Sequence, residues 1–115
     1  MVVKRNVGDS EGYEPYFPDV VEGNPAIQMQ RLRQAGSHDN PFLTGAFFAD
    51  GPCVVRSTPS GDEAAYIIEG EVVLSVDGEP DLVLSPGDMA FIPRGTNCTW
   101  QITRAPFREF FVLGE

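Results

Sequence analysis

The side chains in this sequence that could do chemistry are few and scattered. Glu63 stands in DEAAYIIEG, where strand alternation gives it one face with Ala65 and Ile67. A carboxylate held among apolar neighbours has its pKa raised by desolvation, which makes Glu63 a candidate general acid or base; the plainer role is a structural carboxylate bonded to Arg56 or to backbone. Cys98 and Trp100 share a face of CTWQIT by the same alternation. As a thiolate Cys98 would be a nucleophile or a soft metal ligand, and as a thiol a small hydrophobe; no His or Lys lies near it in sequence to lower its pKa. Trp100 is suited to stack on a substrate ring or to fill a core. His38, the one histidine, sits in the polar stretch SHDNP, as a solvated side chain or as a base reaching a pocket mouth. Arg56 and Arg108 carry planar forks that fit a carboxylate or phosphate. Arg108 neighbours Glu109, so alternation allows only one of the two to face inward. Glu63 and His38 are thus the candidate catalytic residues, and Arg56, Arg108, Trp100, Cys98 and Thr58 the candidate substrate-binding ones. A divalent metal on Glu63, Cys98 and His38 would match the three-ligand catalytic zinc arrangement, though nothing in the spacing makes the three converge.

The elements that must position these residues are strands. From Gly36 onward glycines fall at 36, 45, 51, 61, 70, 78, 87 and 95, close to the turn spacing of an all-β sandwich or barrel. Asp77-Gly78 after VVLSV predicts a tight hairpin in which both central residues take positive φ. Ser85-Pro86-Gly87-Asp88 predicts another turn, with Asp88 a structural acceptor rather than a catalytic acid. Residues 26–33 alternate imperfectly and read as a strand, a pattern that a short helix would fit nearly as well; residues 42–49 and 53–58 read as a strand pair, and the last two strands, 98–103 and 108–113, are broken at Ala105-Pro106. Residues 1–25 hold three prolines and three glycines with no strand or helix period, and predict an extended arm lying across residues 26–115 or across a neighbouring subunit. Tyr13 and Tyr16 on this arm are placed to pack, or to reach a pocket mouth; Tyr66, alternating away from Glu63, is placed outside.

A chain of 115 residues with 42% hydrophobic content encloses one core. Its 17 acidic residues against 8 basic give a net charge of −9, which opposes binding to nucleic acid and to anionic membranes. No signal-peptide core or membrane-length apolar run is present, so a cytoplasmic protein with Cys53 and Cys98 reduced is expected.

Glu63, Tyr66 and Gly70 have the spacing of the end of the first cupin motif, and Gly87, Pro93 and Gly95 that of the second, with Cys98 where its histidine would stand. The chain therefore resembles a cupin, the small double-stranded β-helix or jelly-roll barrel. PRGTNCTW, preceded by LTGAFFA, is similar to the subfamily of the ureidoglycine aminohydrolase cupin domain and ethanolamine-utilisation protein Q. The resemblance implies an RmlC-like barrel with a pocket at one end, often a homodimer, and it would place the face of Glu63 inside. It departs from the wider family in one respect: Arg56, Ser57, Thr58 and Pro59 surround the positions of the first-motif histidines, so the usual three-histidine metal site is not expected. The expected protein is a small-molecule-processing cupin that needs no cofactor and uses acid–base chemistry on a small polar or anionic metabolite, as a metal-independent lyase, isomerase or hydrolase. The alternatives are a non-catalytic ligand-binding or accessory module and an atypical metalloenzyme.

Overall fold

Among the described residues, 2–114, the computed structural model contains nine strands: β1 (Tyr13–Pro15), β2 (Asp19–Glu22), β3 (Ile27–Gly36), β4 (Pro41–Ala49), β5 (Cys53–Ser57), β6 (Asp62–Val76), β7 (Leu82–Leu84), β8 (Met89–Ile92) and β9 (Cys98–Gly114). The outer bounds of the two expected segments, residues 1 and 115, lie outside the described residues. No helix among the described residues is long and apolar enough to cross a membrane. All strand pairs are antiparallel and belong to one curled sheet, a half-barrel of the all-β class that the glycine spacing predicts as a sandwich or barrel.

β9 is the spine of this sheet. Residues 98–103 and 108–113 are not two strands, because β9 runs unbroken from Cys98 to Gly114 and is paired on both sides. On one edge its second half pairs β4, Ala49 opposite Phe107, and its first half pairs β5, Cys53 opposite Ile102. β4 and β5, expected to pair with each other, instead follow one another along β9. Asp50 explains this: its backbone N–H donates to the carbonyl of Ala26 at 3.1 Å and its Oδ1 accepts from the Ala26 N–H at 2.7 Å, which ties the connection sideways. Pro52 then has no N–H with which to close a hairpin. On the other edge β6 accompanies β9 along nearly its whole length, with register shifts between Ile67 and Val72 where both strands bend.

Residues 71–84 form a hairpin as expected, but its turn differs in detail. The Glu79 N–H donates to the Val76 carbonyl, and of the two central residues only Gly78 has positive φ. Asp88 is structural, its carboxylate accepting from the Ser85 N–H at 2.8 Å.

The arm is more than a cover. β1 adds to the edge of β3 and β2 to the edge of β5, so residues 16–18 bridge from one edge of the sheet to the other. Edge positions suit this segment, since Pro15 and Pro18 cannot donate to a second neighbour. Gln30, almost fully buried, holds the start of the arm by donating to the carbonyls of Asn6 and Glu11.

The core lies in the concave face, where Phe107, Ile67 and Val72 are the largest fully buried side chains. Each such burial contributes roughly 1.5–3 kcal/mol. On the convex face Tyr66 opposes Met89 and Ala64 opposes Phe91, and Tyr66, Met89 and Phe91 are exposed. That apolar face is the one an expected homodimer would bury.

Candidate functional site

The concave face encloses a cavity of about 270 Å³. Alternation along β6 turns Glu63 into it, above Ala65 and Ile67. Along β9 the inward residues are Cys98, Trp100 and Ile102 in the first half, but Phe107, Glu109 and Phe111 in the second. The inward set thus passes from even to odd positions between 103 and 106, facing the irregular stretch of β6. This settles which member of the Arg108–Glu109 pair points inward: it is the glutamate. Tyr16, on the bridging segment, closes one wall, its N–H donating to the Ile27 carbonyl at 3.0 Å and its ring edge-on to Phe47 at 6.3 Å between centroids. Phe47, Met29 and Leu43 supply the apolar wall from β3 and β4.

Two carboxyl groups therefore share one apolar cavity. Glu109 is only 7% exposed, and its Oε2 is buried without a hydrogen-bond partner among the described residues. Burial, joined by the negative charge of Glu63, pushes the Glu109 pKa up to about 8. Glu63 is half-buried, and desolvation pushes its pKa up to about 7. Their mutual repulsion means that ionising one holds the proton on the other, so near neutrality the pair carries one proton, most readily on Glu109. The Tyr16 hydroxyl is held protonated by burial first and by the charge of Glu63 second.

The other expected site residues are distributed differently. Trp100 lines the cavity and is buried. Cys98 is buried beside it, its thiol donating to the Ser57 carbonyl at 3.2 Å and its pKa pushed up by burial, the surroundings of a packed thiol. Arg56 and Thr58 stand at the cavity mouth: Arg56 is exposed and 3.6 Å from Asp19 rather than bonded to Glu63, and Thr58 donates to Asn97 at 2.6 Å. Arg108 does not enter the cavity. It lies on the convex face opposite Phe48 and Glu69, where its Nε donates to Glu69 at 2.8 Å and its Nη1 to the Tyr13 hydroxyl at 2.6 Å and to the Val7 carbonyl. Its guanidinium covers the Phe48 ring at 4.6 Å, which makes it a clasp on the arm and not a fork for substrate. His38 remains on the exposed connection between β3 and β4 and does not line the cavity.

The metal set of Glu63, Cys98 and His38 is accordingly not assembled, and among the described residues no three His, Cys, Asp or Glu side chains form a group that could hold an ion. Nor do the residues present fit the metal centre of the wider cupin family, since Cys98 bonds a carbonyl and Arg56, Ser57 and Thr58 offer no imidazole.

Residues 39–111 match the EutQ-like cupin domain family. No curated protein matches the chain in sequence. Among solved structures, an RmlC-like cupin from Shewanella frigidimarina superposes with a TM-score of 0.64 at 19% identity, covering 100% of this chain and 96% of that one. The EutQ protein of Clostridium difficile gives 0.59 at 18% identity over 78% of this chain and 63% of its own. A protein of unknown function from Rhizobium leguminosarum gives 0.65 at 19% identity over 76% and 80%. At these identities the likeness establishes the fold.

Proposed function

This chain belongs to the EutQ-like cupin domain family, and from that membership and its cavity we propose that it processes a small polar metabolite by acid–base catalysis between Glu63 and Glu109, without the three-histidine metal site of the wider cupin family. The observation that carries this reading is the pairing of two carboxyl groups in one apolar cavity, with the proton-rich member fully enclosed. Paired carboxyls whose environments push their proton affinities apart are suited to divide the roles of base and acid. The Glu63 carboxylate, nearer the mouth, takes a proton from the bound substrate. The Glu109 carboxyl, deeper and protonated, gives one to the atom where negative charge develops. Tyr16 holds a further hydroxyl against the reacting group, while Trp100 and Phe107 exclude water.

The size of the cavity limits the substrate to a small molecule, since ordinary ligand pockets begin at roughly 300 Å³. The arginines that would have fixed an anionic group are engaged elsewhere, Arg108 on the convex face and Arg56 with Asp19, so an anion is not required by this reading.

The test is incubation of the protein with a defined mixture of small metabolites, followed by mass spectrometry, with Glu63→Gln as the folded control. Time-dependent conversion of one component is expected, slowed by on the order of 100-fold or more in Glu63→Gln. Conversion at an unchanged rate in that variant would remove Glu63 from the mechanism. Stoichiometric retention of a component with no product would instead identify a binding module that uses the same cavity.

A further inference from the structure

The cavity has more negative than positive capacity, and this bears on what it holds. Three acidic side chains line it, Glu63, Glu109 and Asp19, against one cation, Arg56, which is already paired with Asp19 at the mouth. The innermost acid, Glu109, presents an enclosed oxygen that no donor among the described residues reaches. An enclosed acceptor without a partner is costly, and a bound donor relieves that cost. The surrounding walls are aromatic, with Phe47 edge-on to Phe107 at 6.2 Å between centroids and Trp100 nearby. Aromatic faces beside carboxylates attract a desolvated cation and also pack against its hydrocarbon. A cation between two carboxyls lets both ionise, which neither an alcohol nor an anion does.

We propose that the cavity takes a small alkylammonium ion, its N–H groups on the unpartnered Glu109 oxygen and on Glu63, and its hydrocarbon against Phe47, Phe107 and Trp100. This rests on the reading of the cavity as the ligand site. Of the groups facing the pair, Tyr16 from the bridging segment and Cys98 from β9 are held protonated by burial. Arg31 from β3 acts on Tyr16, and the Asp19–Arg56 pair stays at the mouth. Entry of the ammonium therefore expels the proton from the carboxyl pair, and the proton passes to the buffer. The net charge of −9 favours approach of a cation over an anion.

Three probes share one skeleton: n-butylammonium, n-butanol and butyrate. Calorimetric titration of the whole protein at pH 7 in two buffers of different ionisation enthalpy is expected to show butylammonium binding at least about tenfold tighter than butanol, with butyrate weaker still. The butylammonium enthalpy should differ between the buffers by the heat of about one released proton. Glu109→Gln, verified as folded by circular dichroism, should abolish both the preference and the proton release. Binding of butanol or butyrate as tight as that of butylammonium would overturn the ammonium assignment and leave the acid–base cavity standing. Failure of all three to bind, with the two carboxyls still titrating at raised pH, would overturn it as well. Failure to bind together with ordinary carboxyl titration would overturn both readings.

Discussion

Glu109→Gln is expected to stabilise the protein at alkaline pH, by on the order of 3 kcal/mol near pH 9, while changing little near pH 5. Enclosure among apolar side chains disfavours the charged carboxylate, and the nearby Glu63 adds to the penalty. The folded protein therefore holds a proton on Glu109 up to about pH 8, whereas the unfolded chain releases it near the model value of 4.5. Between those values the folded state binds more protons than the unfolded one, so stability falls as pH rises through the interval. Below it both states are protonated and the carboxyl costs little. Glutamine keeps the shape of the protonated side chain and cannot ionise, so it removes the pH dependence rather than the packing. For a domain of this size the gain near pH 9 corresponds to roughly 10–20 °C in Tm. Thermal unfolding of both proteins at pH 5 and pH 9 reads it directly. Parallel pH profiles would show that Glu109 is not a suppressed acid.

The second large effect concerns the bend shared by β6 and β9. Gly70 and Gly78 both have φ of +81°, so alanine is strained by the same backbone conformation at either position. Their surroundings differ. A Cβ at Gly78 meets nothing within 4 Å, but at Gly70 it would stand 2.6 Å from the carbonyl oxygens of both Arg104 and Pro106. Those are backbone atoms of β9 that cannot turn aside as a flexible side chain would. Gly78→Ala should therefore cost about 1 kcal/mol and Gly70→Ala at least about 3 kcal/mol, measured as midpoint shifts in urea. Gly70→Ala should also weaken whatever the cavity binds, because the bend sets the parity that turns Glu109 inward. Equal losses from the two substitutions would mean that the bend tolerates displacement.

Strand content was legible from glycine spacing, and the face of Glu63 from simple alternation, because no irregularity lies between Asp62 and Ile67. The cupin resemblance rested on Glu63, Tyr66, Gly70, Gly87, Pro93 and Gly95, and the family match agrees with it. Glu109 was not legible as a site residue. Counting by twos from Trp100 along β9 would bring Arg108 inward and leave Glu109 outside, and only the change of parity at residues 103–106 reverses this. One signal was available: Phe107, Phe111 and Leu113 share the parity of Glu109, although Phe110 and Val112 share that of Arg108. The pairing of β4 and β5 failed because sequence adjacency carries no information about a third strand entering from far along the chain. Tyr16 was expected either to pack or to reach a pocket mouth, and it lines the cavity with Pro18; which strands it meets was not legible, since it lacks the strand period that would announce its partners.

The proposed role of the cavity turns on the raised and electrostatically linked proton affinities of Glu63 and Glu109. The measurement that tests it is a side-chain carboxyl ¹³C NMR titration of the wild-type protein, with Glu63→Gln and Glu109→Gln for assignment. Two carboxyls titrating near pH 7 and pH 8 are predicted, with the Glu109 value falling once Glu63 is neutralised. Titration of both below about pH 5 would contradict the raised, linked proton affinities and with them the proposed acid–base role of the cavity.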